Sequence, residues 1–163
     1  MLPSTKIYEL FVYANIVKQI GGRVEEICGS RLALKVNSSR LYFNHYPRTM
    51  LRLIKDLTKR IPSPDILYVS KDLTIPIECK YRDLSKRKLR LGDAERLLSY
   101  IVDASRNGDF TTIITSLSKP REKEVKTSID GRNIKVVFVE FNPNTKIENI
   151  ASILERIETT KRN

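Results

Sequence analysis

The arrangement of apolar and polar residues in the first part of the chain predicts one helix followed by short strands. Apolar residues dominate positions 4–20 and a Gly21-Gly22 pair follows, so we expect a helix that Ser4 caps and that ends at Ile20. Apolar and β-branched runs come next and predict strands over Arg23–Cys28, Arg31–Val36 and residues 40–46. Apolar residues then recur at helical spacing, which favours a short helix over residues 49–60.

The rest of the sequence alternates between extended and helical patterns. It predicts a hairpin of residues 66–69 and 74–81, followed by a helix over residues 92–105. Two nearly uncharged strands, over residues 110–115 and 134–141, and a last helix over residues 145–160 complete the prediction. Asn107-Gly108 is expected to end the middle helix. This order of elements indicates an α/β protein in which helices flank a mixed β-sheet. We find no repeat or linker, so residues 1–163 are expected to form a single domain.

The predicted hairpin, PSPDILYVSKDLTIPIECKYRD, carries charges where a buried strand normally carries apolar residues. Because side chains alternate along a strand, Glu78 and Lys80 share one face, while Ile77 and Cys79 share the other. Antiparallel pairing through the polar turn brings Asp65 toward Glu78. The hairpin therefore gathers two carboxylates and one ammonium in a small space.

Two interpretations of these charges are open. Neighbouring carboxylates can both ionise only beside a compensating cation, and Mg²⁺ or Mn²⁺ prefers carboxylate, carbonyl and water oxygens. Asp65, Glu78 and the backbone carbonyl of Cys79 would then hold the metal, while Lys80 orients a bound water or neutralises developing negative charge. Alternatively, the segment is an edge hairpin with cross-strand charge pairs. A second Glu-x-Lys, at residues 124–126, is expected in a solvated loop.

The Pro-Asp at positions 64–65 followed by Glu-Cys-Lys at 78–80 resembles the signature of the PD-(D/E)XK nuclease superfamily. The resemblance spans residues 8–115 and implies a restriction-endonuclease-like core, hydrolysis of DNA phosphodiester bonds and, frequently, a homodimer. Many members also carry an acidic residue in the first core helix, a place that Glu9 occupies here. From the residues alone, Glu9 faces either the apolar interior or solvent at the start of its helix.

The chain is strongly basic, with 30 Lys and Arg residues against 19 Asp and Glu residues, a net charge of +11. Such an excess indicates a polyanionic partner, most commonly nucleic acid, and no basic amphipathic helix supports a membrane surface as the partner. Basic side chains after the hairpin are candidates for phosphate contacts, although a solvated charged loop is the alternative for each. These candidates are Lys86, Arg87, Lys88, Arg90 and Arg96.

The segment YFNHYPRT, residues 42–49, places aromatic residues among basic ones and contains the only histidine, His45. Tyr42 and its aromatic neighbours either stack on nucleic-acid bases or pack in the core. On the following helix, Arg96 and Tyr100 are four residues apart and share a face. Arg96 is a candidate for contact with phosphate, whereas Tyr100 is expected in the core.

Several features bear on location. No apolar run approaches the ~20 residues that a membrane-spanning helix needs. The apolar beginning of the chain lacks a basic leading segment and a cleavage site, so we interpret it as a core helix rather than a signal peptide. Cys28 and Cys79 are far apart and show no metal-ligand spacing, which indicates a reducing, cytoplasmic setting. One glutamine against many isoleucines, lysines and arginines is typical of a thermophilic or archaeal source.

These patterns and the resemblance to the PD-(D/E)XK nucleases together imply a Mg²⁺-dependent deoxyribonuclease, more an endonuclease than an exonuclease, with Asp65, Glu78, Lys80 and Glu9 as catalytic residues. Archaeal Holliday-junction resolvases share the resembled core and a comparable size, so branched DNA is an open substrate. An RNA-directed nuclease is a further possibility. The alternative of another class is a basic nucleic-acid-binding protein that keeps the nuclease fold without its chemistry.

Overall fold

The fold is taken from a computed structural model that describes residues 4–21, 23–28, 31–36, 39–45, 63–71, 73–86, 88–104, 109–129 and 131–162. These residues form three helices, α1 Ser4–Ile20, α2 Leu91–Ala104 and α3 Ile150–Arg162. They also form nine strands, β1 Arg23–Cys28, β2 Arg31–Val36, β3 Ser39–Phe43, β4 Ile66–Val69, β5 Thr74–Asp83, β6 Phe110–Ser118, β7 Glu124–Ile129, β8 Arg132–Asn142 and β9 Lys146–Ile147. The predicted helix over residues 49–60 and the predicted stop at Asn107-Gly108 lie outside the described residues.

The strands form a mixed sheet in the order β1-β2-β3-β4-β5-β6-β8-β7, and the short β9 pairs with β8. Strands β1 to β5 pair antiparallel with their neighbours, whereas β5 with β6 and β6 with β8 are parallel. Helix α2 supplies the crossover that a parallel pair such as β5 and β6 requires. The predicted α/β class with a mixed sheet is therefore confirmed. A restriction-endonuclease-like core stays a prediction.

Helices cover the two faces of this sheet. On the first face, α1 and α3 pack against apolar side chains of the strands, with Val12, Ile16, Ile77, Ile113, Val139 and Leu154 among the most buried. On the second face, α2 contributes to a smaller core made of Leu84, Leu97, Tyr100, Phe110, Ile114, Ile134 and Phe138. Since side chains alternate along β5, Ile77 and Cys79 point to the first face and Glu78 and Lys80 to the second, toward α2.

One predicted helix end agrees with the structure and another does not. Gly21 adopts a φ of +72° and its N–H donates to the carbonyl of Val17 at 2.9 Å, so the predicted stop of α1 is confirmed. The last helix, however, begins at Ile150 and not near residue 145. Asn149 is its N-cap, because its side-chain oxygen accepts the N–H of Ser152 at 3.2 Å. The residues before it instead form β9 along β8.

The strand β7 contradicts the expectation of a solvated loop around residues 124–126. All six of its residues are exposed, and it pairs antiparallel with β8 at one edge of the sheet. Gly131, with a φ of +75°, lies in the tight connection between the two strands. Val125 and Ile129 share one face of the strand, but both are exposed, so neither face contributes buried side chains.

Candidate metal and nucleic-acid site

The hairpin of β4 and β5 brings Asp65 and Glu78 together. Ile66 pairs with Ile77, so Asp65, one residue before β4, lies opposite Glu78. The Oδ2 atom of Asp65 accepts the backbone N–H of Cys79 at 2.8 Å. Both carboxylates are buried, with 8% of Asp65 and 1% of Glu78 exposed to solvent. Two acids this well buried are costly unless other groups compensate their charge.

Glu78 is held by three side chains. Its Oε1 accepts the hydroxyl of Tyr100 at 3.0 Å, and its Oε2 lies 2.9 Å from Nζ of Lys80 and 3.4 Å from a guanidinium nitrogen of Arg96. Tyr100, expected in the core, is buried but also serves as a donor to this carboxylate. Burial and the charge of Glu78 raise the pKa of Tyr100, which keeps its hydroxyl protonated. Arg96 keeps 47% of its side chain exposed.

Lys80 is held between two carboxylates. Its Nζ lies 2.9 Å from Glu78 and 2.9 Å from Oδ1 of Asp93, and only 12% of its side chain is exposed. Burial alone would lower the pKa of Lys80, but the charges and hydrogen bonds of Glu78 and Asp93 outweigh it and raise the pKa. The side chain is therefore an ammonium ion near neutral pH.

Asp93 is the site residue that sequence reasoning missed. It lies in the first turn of α2 and pairs with Lys80 and with Arg82. Burial alone would raise the pKa of Asp93, but the hydrogen bonds from these two cations outweigh burial, so the net pKa is lower than usual. An acid in the first turn of a helix is ordinary, because the helix dipole favours it there. The sequence thus offered no signal that separates Asp93 from a surface residue.

The carboxyl group of Asp65 responds to its buried surroundings. Burial, then the negative charges of Glu78 and Glu9, raise the pKa of Asp65 to about 7. Glu9 is itself buried and faces the interior, one of the two orientations that the sequence allowed. Its carboxylate pairs with Lys6, whose Nζ also donates to the side-chain oxygen of Asn44 at 2.9 Å. The charges of two other buried acids therefore act on Asp65 at this end of the sheet.

The donor set suits a hard divalent cation with few protein ligands. Among the described residues, no group of three or more His, Cys, Asp or Glu side chains could hold an ion. Mg²⁺ commonly takes only one or two carboxylates and retains several waters. The carbonyl of Cys79 points to the same side of β5 as its N–H, toward Asp65. In the register of the hairpin, Cys79 faces Pro64, which has no N–H to donate to that carbonyl.

The basic candidates lie on the chain that leaves this site. Lys86, Lys88 and Arg90 are exposed after β5, and Arg87 lies outside the described residues. Lys86 and Lys88 border a cavity of about 500 Å³ whose apolar lining includes Leu84 and Phe138. Leu84 and Phe138 belong to the second face, so the cavity and the Glu78 site are on the same side of the sheet.

Comparison with protein-family models and with curated proteins found no match. The resemblance to the PD-(D/E)XK nucleases therefore rests on the residues themselves. No helix within the described ranges is long and apolar enough to cross a membrane.

Proposed function

We propose that this protein is a metal-dependent deoxyribonuclease that hydrolyses phosphodiester bonds as an endonuclease, with a restriction-endonuclease-like core. One observation carries the proposal: two buried carboxylates, Asp65 and Glu78, converge beside the ammonium of Lys80 on a single hairpin. A bound divalent cation would offset the cost of burying both charges. The net charge of +11 supports a polyanionic substrate.

The residues of the hairpin divide the chemistry among them. Asp65, Glu78 and the carbonyl of Cys79 would hold Mg²⁺ or Mn²⁺. When bound, such an ion lowers the pKa of a coordinated water and stabilises negative charge on a phosphoryl oxygen. Lys80 would neutralise charge that develops on the phosphate, since its ammonium is already positioned and needs no reorganisation. Glu9 acts from α1 through the electrostatic field at Asp65.

Residues outside the hairpin fix its geometry and the path of the substrate. Tyr100 and Arg96 orient Glu78 from α2. The exposed part of Arg96, with Lys86, Lys88 and Arg90, would contact phosphates along the strand that is cut. Such contacts add affinity that depends on salt and not on base sequence.

A second candidate function is favoured by the same network. Both oxygens of Glu78 already have partners within the protein, as does the ammonium of Lys80. Such a closed set of ion pairs also suits a purely structural hairpin in a basic nucleic-acid-binding protein that does no chemistry.

Purified protein incubated with DNA distinguishes these two functions. Linear duplex, circular, single-stranded and four-way-junction DNAs, with RNA in parallel, are incubated with Mg²⁺, Mn²⁺ or EDTA. We expect internal cleavage of DNA that requires the metal, and Glu78→Gln protein purified in the same way controls for contaminating nuclease. Binding to these nucleic acids without cleavage of any of them would support the second candidate instead.

Asp93→Asn is expected to lower the cleavage rate by about 10- to 100-fold, the usual effect of losing a partner that orients a site residue. Asp93 is the second carboxylate that holds Lys80, 2.9 Å from its Nζ, so the loss should appear in kcat more than in KM. Asp93→Glu should restore part of the rate. Asp83→Asn is the control: the carboxylate of Asp83 is exposed and accepts the N–H of Ser85, so this variant should cleave at the unaltered rate. Equal losses in both variants would exclude this role for Asp93.

A further inference from the structure

Two aromatic rings lie at the end of β3 that is next to Asp65. The ring centroids of Tyr42 and His45 are 5.5 Å apart with an interplanar angle of 53°, and both side chains are partly exposed. The exposed Arg40 donates to the hydroxyl of Tyr42 at 3.4 Å. Among the described residues, Tyr42 belongs to neither hydrophobic core. By contrast, the neighbouring Phe43 is buried on the first face against Tyr13, with ring centroids 5.1 Å apart.

The sheet register places this pair beside the candidate metal site. Tyr42 pairs with Leu67, and Leu67 pairs with Pro76, so Tyr42 is on the same face as Glu78 and Lys80. Two strand spacings separate Tyr42 from β5, a distance of about 10 Å. Asp65 is nearer than β5, at one strand spacing from the end of β3, because the N–H of Asn44 donates to the carbonyl of Asp65 at 2.9 Å. His45 follows directly.

The surface between the two sites constrains the path of a ligand. Leu67 is completely buried, so a ligand cannot reach Glu78 from Tyr42 across the middle of β4. The described residues bring the two rings and Asp65 together at the strand ends. A nucleic-acid strand that passes these strand ends would present its bases to the two rings and its backbone to the carboxylates.

We propose that Tyr42 and His45 form a stacking site for an unpaired base of the nucleic-acid strand whose phosphate lies at Asp65 and Glu78. The position of the phosphate at Asp65 and Glu78 rests on the proposed nuclease function, whereas the stacking of the base on Tyr42 and His45 does not. Stacking on aromatic side chains requires a free base face, which a continuous duplex does not offer at its interior. The preferred substrate is therefore single-stranded or carries unpaired bases beside the cleavage position.

Binding measured without cleavage tests this site. The protein of residues 1–163 is titrated in EDTA with a fluorescent single-stranded oligonucleotide and with a duplex of equal length. Tyr42→Ala is expected to weaken binding of the single strand by about 5- to 100-fold, the usual effect of losing one stacked base, and to leave duplex binding nearly unchanged. Tyr42→Phe and Tyr42→Trp keep a ring and should bind the single strand as the unaltered protein does.

Two further measurements separate stacking from a structural role. An oligonucleotide that contains 2-aminopurine should lose fluorescence on binding, and Tyr42→Leu, which fills similar space without a ring, should prevent this loss. Thermal unfolding of each variant checks the fold, and Tyr42→Leu replaces Tyr42→Ala if the alanine variant does not fold. Equal losses for single strand and duplex, or loss of binding in Tyr42→Phe, would overturn the proposal. Absence of cleavage with this stacking intact would refute the nuclease function alone.

Discussion

Lys80→Met is expected to lower the rate of metal-dependent DNA cleavage by about 10²–10³-fold, the effect of losing one positioned group that stabilises charge in the transition state. Methionine keeps the length and the apolar stem of lysine, but it removes the ammonium that lies 2.9 Å from both Glu78 and Asp93. Substrate binding should change little by comparison, since this buried residue contributes a small part of the basic surface. Single-turnover cleavage and oligonucleotide titration measure the two effects separately.

The chain offers a matched control for this substitution. The second Glu-x-Lys, on the edge strand β7, has the same spacing and a similar ion pair, with Lys126 Nζ 3.1 Å from Glu124. Its lysine side chain is 68% exposed, however, against 12% for Lys80. Exposed ion pairs contribute little, so Lys126→Met should cleave at the unaltered rate. Cleavage by Lys80→Met within about threefold of that rate would remove the basis for the catalytic assignment.

Lys80→Arg sharpens the same test. Arginine keeps the positive charge, but its planar fork cannot occupy the place of a compact ammonium between two carboxylates. We expect a cleavage rate between those of the unaltered protein and of Lys80→Met. A rate equal to that of the unaltered protein would mean that charge alone, and not the position of the ammonium, is required.

The hairpin was predictable because its signals are local. Strand alternation alone assigns Glu78 and Lys80 to one face, and a short polar turn fixes which residues of β4 and β5 oppose each other. Asp65 then falls beside Glu78 without any knowledge of the remaining fold. The glycine that ends α1 is local in the same sense, because its positive φ is a property of one residue.

The contacts from other elements were not predictable from the sequence. Asp93 meets Lys80, and the hydroxyl of Tyr100 meets Glu78, only because α2 crosses back over the second face of the sheet. The start of α3 was misplaced because residues 146–147 pair with β8 as β9, and this pairing depends on a strand that lies outside the local pattern of the helix start. Strand β7 was missed because it has only two large apolar residues, Val125 and Ile129, among polar ones, and its pairing with β8 at the sheet edge is not a local signal.

Asp65→Asn is expected to stabilise the metal-free protein at pH 8. The pKa of Asp65 is raised from 3.8 to about 7 by burial and by the charges of Glu78 and Glu9. Each unit of pKa corresponds to about 1.4 kcal/mol, so ionised Asp65 lowers the free energy of unfolding by on the order of 2–4 kcal/mol. Asparagine is neutral and its side-chain oxygen can still accept the N–H of Cys79.

The pH dependence of this gain follows from the direction of the pKa change. Below about pH 4 Asp65 is protonated in the folded and the unfolded chain, and the variant should match the unaltered protein. Between about pH 4 and pH 7 the unfolded chain ionises first, so the unaltered protein loses stability as pH rises. The advantage of Asp65→Asn should therefore grow across this range and stay constant above it. Urea unfolding at several pH values, without metal, measures it.

Added Mg²⁺ should narrow the difference in stability between the two proteins. At about 10 to 100 times its Kd, a cation that binds only the folded state stabilises it by about 1.4–2.7 kcal/mol. The unaltered protein should gain this amount above pH 7, where Asp65 is ionised, whereas Asp65→Asn should gain little. Asp83→Asn is the control, because it removes an exposed carboxylate that accepts from Ser85 and not from the partners of Glu78. This variant should respond to Mg²⁺ as the unaltered protein does. Equal stability of Asp65→Asn and the unaltered protein at pH 8 would contradict the cost of burying ionised Asp65 beside two other acids, and with it the reason for a metal there.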